Sequence, residues 1–177
     1  VLRTPFPISR SVSAGFSKLS KGELFVGIDV TIRPARQDDI AAMAELLSML
    51  FAVEEDFAVD TDKQRAGLEM FFQYPDGRYL VVAEKQQQVV GMCSAQLLIS
   101  TAEGGWKAII EDVVVAKQLR GQGIGKRMLD ELADWAAQQG ASRKDLLADR
   151  DNIDGLKFYD RLNWRRTNLI ALQKRGI

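Results

Sequence analysis

Apolar residues follow two rhythms along this chain, and the switches between them mark out its elements. Ile28–Arg33 alternates and predicts a short first strand. Pro34 closes it. From Asp38, an N-cap candidate, the residues Ile40, Met43, Leu46, Leu47 and Leu50 recur on one face of a helix running through Leu50. A second helix is expected from about Asp62 to Phe72, carrying Ala66, Leu68, Met70 and Phe71, with Pro75-Asp76-Gly77 as the turn after it. Arg78–Glu84 reads as a strand, Gln86–Gln88 as a polar hairpin turn and Val89–Ile99 as the next strand, in which Gly91 marks a bulge or a close approach. Ala102–Gly105 turns the chain into Trp106–Val115, whose three valines favour extended backbone. Strict alternation there places Glu111, Val113 and Val115 on one face and Asp112 and Val114 on the other, so the two acids are expected to point opposite ways.

Ile124, Met128, Leu129, Leu132, Trp135 and Ala136 then return at helical spacing, and Gly140 ends that helix. Arg143–Ala148 is a short strand, Ile153–Leu162 a helix opened by Asp151-Asn152, and Arg166–Gln173 a closing strand. The order is neither a repeat nor a regular βαβ series. The fold class is α/β, a mixed sheet with helices on both faces. Val1–Gly22, with two prolines, several serines and no period, reads as a flexible extension or a segment packed on a partner subunit. Residues 23–177 form a single domain in this reading.

Composition narrows the chemistry. Lys plus Arg and Asp plus Glu number 24 each, a net charge of zero, which argues against nucleic-acid binding through bulk charge. The basic pairs Arg143-Lys144 and Arg165-Arg166 are too small a patch to change that. Histidine is absent, which removes histidine catalysis and most zinc chemistry, and no metal site is expected. Cys93 is the one cysteine, so a reducing, cytoplasmic setting is the default expectation. No apolar run reaches membrane-span length, and residues 1–20 lack the apolar core of a secretory signal.

Between the valine strand and its helix lies Arg120-Gly121-Gln122-Gly123-Ile124-Gly125, a glycine-rich turn of the kind that brings amides to an anion at a helix N-terminus. A P-loop would need glycine at 120 and a hydroxyl residue at 127, and both positions are arginine. A dinucleotide fingerprint would need its last glycine one residue later. A third pattern fits. Gln118-Leu119-Arg120-Gly121-Gln122-Gly123 matches Q/R-x-x-G-x-G/A, and Asn152, Phe158-Tyr159 and Asn163-Trp164 follow the order N-x-x-A-x-x-F-Y-x-x-x-G-F, with Gly155 in place of the alanine. On these residues the chain resembles the GNAT superfamily of acyl-CoA-dependent N-acyltransferases. Asn163 is a sensible replacement for glycine, because asparagine tolerates left-handed backbone.

The resemblance implies acetyl-CoA as cofactor, and a largely antiparallel sheet in which two parallel strands splay apart, here Glu111–Val115 and Arg143–Ala148. A pyrophosphate wants convergent amides and a helix dipole, which the backbone N–H groups of Leu119, Arg120, Gly121, Gln122, Gly123, Ile124, Gly125 and Lys126 can supply. Arg120 and Lys126 are its candidate charge partners, or else merely solvate the turn. The resemblance implies that Val113, Val114 and Val115 pair with the pantetheine arm, that Asn152 touches it, and that a backbone N–H near Val113 or Val114 meets the developing oxyanion.

Acyl transfer to an amine needs a proton acceptor for the nitrogen and a proton donor for the leaving thiolate. The resemblance implies Glu111 as the acceptor, commonly through water, and Tyr159 as the donor. A salt-bridged strand carboxylate and a core aromatic are the plain alternatives. Asp112 is read as a structural contact and Cys93 as a buried small residue. Five acids, Glu54, Glu55, Asp56, Asp60 and Asp62, lie where the family shapes its acceptor pocket. Glu54 and Glu55 are therefore candidates to bind a cationic small-molecule amine or a peptide amine, or else a solvated helix end. Family members often dimerise, and the first segment and the final strand are the candidate contacts of a homodimer. The alternative function is a catalytically silent acyl-CoA-binding protein.

Overall fold

A computed structural model describes residues 29–52 and 59–174. The extension 1–22 and the acids Glu54, Glu55 and Asp56 lie outside the described residues. In chain order the elements are β1 (Thr31–Pro34), α1 (Ile40–Phe51), α2 (Thr61–Gln73), β2 (Arg78–Lys85), β3 (Gln88–Ser100), β4 (Gly105–Val115), α3 (Ile124–Gln138), β5 (Ala141–Leu146) and α4 (Ile153–Arg161). They build one five-stranded sheet in the order β1-β2-β3-β4-β5. The first three pairings are antiparallel and the last, β4 with β5, is parallel. This is the mixed α/β architecture that the periodicity predicts.

Two-residue alternation explains which face each helix covers. Tyr79 of β2 stacks on Trp135 of α3 at 5.2 Å, and a Cβ at Gly91 of β3 would meet Met128 of α3 at 3.2 Å. Gly91 is thus a close approach: the same Cβ would stand 3.1 Å from the Val114 carbonyl. On the opposite face α1 packs over β3 and β4, with α2 against α1. Met43, Leu46, Leu47, Val81, Val82, Met92, Ile110, Ile124, Met128 and Leu132 are buried in the resulting core. Its burial is the main favourable term in holding the sheet between its helices.

Local chemistry moved three boundaries. Asp39, not Asp38, precedes α1, after a 3-10 turn over Gln37–Asp39, and its carboxylate does not cap the helix. It accepts instead from the Arg36 amide at 2.7 Å and from Arg33 at 2.7 and 2.9 Å, while Arg33 also reaches Glu84. The Arg33 guanidinium holds the Asp39 carboxyl below the usual range. Strand β5 begins two residues earlier than expected and ends at Leu146, leaving Leu147 exposed. The expected closing strand is not formed: Arg166–Lys174 is irregular, with Leu169, Ile170 and Leu172 exposed. A strand persists only where a neighbour takes its backbone N–H and C=O groups, and none of the described strands lies alongside this segment. Asn163 takes the left-handed backbone (φ 64°) expected of a glycine replacement.

Candidate active site

The site starts from a fault in β4. Glu111 pairs with Ser94 and Val114 with Met92, so Asp112 and Val113 together face one residue of β3, Cys93. The extra residue is a β-bulge, and Asp112 absorbs it with φ 57°. The expected alternation fails here. Gln96 approaches Glu111 Oε2 at 3.4 Å, and Ser94, two residues away on the same face of β3, approaches Asp112 Oδ2 at 3.3 Å. The two acids therefore reach one face of the neighbouring strand rather than opposite faces. Glu111 is exposed and Asp112 half-buried. Burial, and then the neighbouring Glu111 charge, push the Asp112 carboxyl up to about 6, against a smaller opposing effect of the Ser94 hydroxyl.

Next to the bulge the parallel pair comes apart. Pairing of β4 with β5 runs from Trp106–Ala141 to Ile110–Leu146 and stops, so Glu111–Val115 have no strand partner on that side among the described residues. Beyond Val115 the chain is pinned by the Ala116 amide donating to the Val90 carbonyl at 2.8 Å, then makes a 3-10 turn over Lys117–Leu119. Gly121 and Gly123 follow with φ 75° and 78°, a conformation that glycine adopts without penalty. Gly123 occupies the N-cap of α3 and offers no side chain, so the first amides of that helix are uncapped. A Cβ built at Gly121 or Gly123 would meet nothing within 4 Å, so the space over them is open.

Gly125 differs from the other two. A Cβ there would sit 3.1 Å from the ring of Phe158, so this glycine lets α4 pack on the head of α3. That contact brings the distant aromatic pair beside the glycine turn. Tyr159 stands between Phe158, 5.2 Å away, and Trp164, 6.2 Å away and edge-on. The Asn152 side chain caps α4 by accepting from the Gly155 amide at 2.9 Å, and a Cβ at Gly155 would be 2.9 Å from the Asn152 side chain. Glycine in place of the family's alanine is what allows this cap its present rotamer.

The remaining candidates have mixed positions. Arg120 donates through Nε to the Val115 carbonyl at 2.9 Å, and Lys126 pairs with Asp130, so both cations already hold partners at the turn. Gln122 makes a long contact of 3.4 Å to the Gln118 carbonyl. Ile124 and Val114 are buried in the core, which leaves only their backbone for a ligand, while Val113, Val115 and Leu119 are half-buried. Asp60 caps α2 by accepting from the Lys63 amide and also pairs with the Lys63 side chain. Cys93 is wholly buried and its thiol is pushed up by burial, which makes it inert. Asp112 and Ser94 were not candidates in the sequence reading. The adjacency of two acids on a strand was the one available signal, because the bulge that unites them has no glycine to announce it.

Known proteins resemble this chain along most of its length. The family model described as acetyltransferase (GNAT) family matches residues 40–164. Aminoalkylphosphonate N-acetyltransferase of Salmonella typhimurium is 27% identical over 137 residues, which cover 77% of this chain and 86% of that protein. Glucosamine 6-phosphate N-acetyltransferase of Trypanosoma brucei brucei is 27% identical over 147 residues, covering 78% and 90%. The crystal structure of glucosamine-6-phosphate N-acetyltransferase from Arabidopsis thaliana superposes with a TM-score of 0.67 at 21% identity, over 83% of this chain and 99% of that one, and shares its fold. With the family model spanning both the glycine turn and the Phe158-Tyr159 helix, the chain belongs to the acetyltransferase (GNAT) family.

Proposed function

We propose that this chain moves an acetyl group from acetyl-CoA directly to the primary amine of a small molecule. One observation carries the donor: the uncapped head of α3, open over Gly121 and Gly123, adjoins the part of β4 that β5 leaves unpaired. Amides from Gly121 to Lys126 would hold the pyrophosphate, since those of Leu119 and Arg120 already donate to the Ala116 and Lys117 carbonyls, and the free edge of Val113, Val114 and Val115 would hold the pantetheine arm, with Asn152 at the start of α4 beside it. Arg120 and Lys126 add positive charge at the rim. When bound, acetyl-CoA supplies an acetyl group activated as a thioester. Tyr159, placed by the packing of Phe158 on Gly125, donates the proton that the departing thiolate needs. Glu111, exposed on β4, takes the amine's proton through water. A backbone N–H of the bulge, at Val113 or Val114, faces the developing oxyanion.

The names of the two curated relatives favour a small acceptor over a peptide, since one refers to an aminoalkylphosphonate and the other to glucosamine 6-phosphate. Both compounds join an amine to a phosphorus oxyanion. Glu54 and Glu55 retain the proposed role of an acidic rim for the ammonium end. The test is thiol release from acetyl-CoA with four amines: an aminoalkylphosphonate, a phosphorylated amino sugar, a polyamine and a lysine peptide. The expected result is turnover with one of the first two. Thermal stabilisation by acetyl-CoA with no thiol release from any amine would replace the enzyme with a binding protein.

A further inference from the structure

Strand β1 is one rim of the sheet, and no described strand lies along its outer edge. The Ala35 amide donates to the Leu80 carbonyl, so in the antiparallel register with β2 the main-chain groups of Thr31 and Arg33 also turn inward. Those of Val30, Ile32 and Pro34 turn outward. The Val30 carbonyl accepts from Arg127 of α3 at 2.8 Å, and the Pro34 carbonyl from Arg33 at 3.1 Å. Proline has no amide hydrogen, so the Ile32 amide and carbonyl are the pairing groups this edge leaves open. Beside them runs an open groove of about 440 Å³ between residues 30–32 and one stripe of α3. Three- and four-residue spacing puts Arg127, Asp130, Glu131 and Asp134 on that stripe, three carboxylates against one cation. Asp130 pairs with Lys126, and Glu131 accepts from the Tyr79 hydroxyl at 3.0 Å. Asp134 is exposed and enters none of the described ion pairs. An extended chain laid here would meet two backbone hydrogen-bonding groups and an acidic wall.

We propose that residues 1–22 of the same chain fill this groove, with backbone paired to Ile32 and lysines set against Asp130 and Asp134. Charge selects that occupant: residues 1–22 carry Arg3, Arg10, Lys18 and Lys21 and no acid, and Glu23 is the one acid before Asp29. Attachment selects it too, because the segment leads directly into Val30, which lines the groove. A tethered segment docks at high effective concentration, so a few modest contacts hold it. The reach suffices. The stripe from Arg127 to Asp134 is about 10 Å long. Lys18 and Lys21 stand eleven and eight residues before Asp29, and a chain extends up to about 3.5 Å per residue, enough to reverse and span the stripe. Pairing at Ile32 also covers an edge that is otherwise a template for aggregation. None of the groove residues belongs to those assigned to acetyl transfer, so the inference stands apart from that reading.

The experiment is hydrogen exchange at the Ile32 amide, followed by NMR on the full chain at low salt. The wild type is compared with Lys18→Glu/Lys21→Glu, with Asp134→Lys and with all three changes together, and thermal unfolding checks that each variant folds. The wild-type amide is expected to be protected to a degree independent of protein concentration. Either charge reversal alone should speed its exchange about tenfold, and the combination should restore most of the protection. A wild-type Ile32 amide that exchanges as fast as an exposed one overturns the inference, as does protection that neither reversal changes. Protection that grows with protein concentration overturns it as well, by giving the groove to a second copy.

Discussion

Asp112 shares its hydrogen-bond donor, the Ser94 hydroxyl, with a backbone carbonyl. The Ser94 hydroxyl lies 3.3 Å from Asp112 Oδ2 and 3.2 Å from the Glu111 carbonyl, and it can serve only one of them at a time. A half-buried carboxylate with one shared donor and the Glu111 charge beside it is costly in its ionised form, and the upward shift of Asp112 from 3.8 to about 6 expresses that cost.

The consequence for stability has a definite sign. Below about 4 the carboxyl is protonated in both folded and unfolded chains and costs nothing. Above about 6 it is ionised in both, and the folded chain alone bears the desolvation. Asp112→Asn is therefore expected to be more stable than the wild type at pH 8, by about 2 to 3 kcal/mol. The gain should shrink as pH falls through 6 and vanish near 4. Urea unfolding at pH 8, 6 and 4 measures it. An equal gain at all three values would show that the carboxyl is not the cause.

The Gly125–Phe158 contact predicts a different kind of defect. Gly125→Ala improves helix propensity by up to about 1 kcal/mol, yet its Cβ would press on the Phe158 ring at 3.1 Å. The ring belongs to α4, so the displacement reaches Tyr159 and the Asn152 cap. The expected outcome is little change in unfolding temperature, a KM for acetyl-CoA raised about fivefold and kcat lowered about tenfold. Phe158→Leu in the same chain should recover part of both losses. If Gly125→Ala alone leaves both constants unchanged, α4 is not positioned through this contact.

Much of the fold was legible because periodicity and punctuation agree. The alternation of Arg78–Glu84, the spacing of Ile124, Met128 and Leu132, and the turn at Gly140 all follow from local backbone preference and one-sided burial. Asn163 was legible for the same reason: few residues accept its left-handed backbone. The bulge at Asp112 was not, because a strand of Glu, Asp and three valines looks regular until its pairing with Ser94 and Met92 is known. The closing segment failed for a related reason. Leu169, Ile170 and Leu172 carry strand propensity, but a strand also needs a partner, and pairing is not a property of one segment. Asp39 likewise exchanged a cap for Arg33, which lies on another element.

Tyr159 provides the last test, and its surroundings determine how to read it. Its ring is wedged between Phe158 and Trp164, so Tyr159→Phe keeps the aromatic packing and deletes only the hydroxyl. Stability should fall by no more than about 1 kcal/mol, the usual net worth of one hydrogen bond. A phenol ordinarily ionises near pH ~10, so at neutral pH it is a proton donor, and losing it should lower kcat about 10- to 100-fold. The loss should appear in kcat more than in KM, because the thiolate that needs the proton arises only during reaction. The KM for acetyl-CoA separates this from a packing defect. Loss of the hydroxyl alone should leave that KM within about twofold of the wild type, whereas a displaced α4 would raise it. A variant with wild-type kcat would remove Tyr159 from the chemistry and leave it as an aromatic brace for α4.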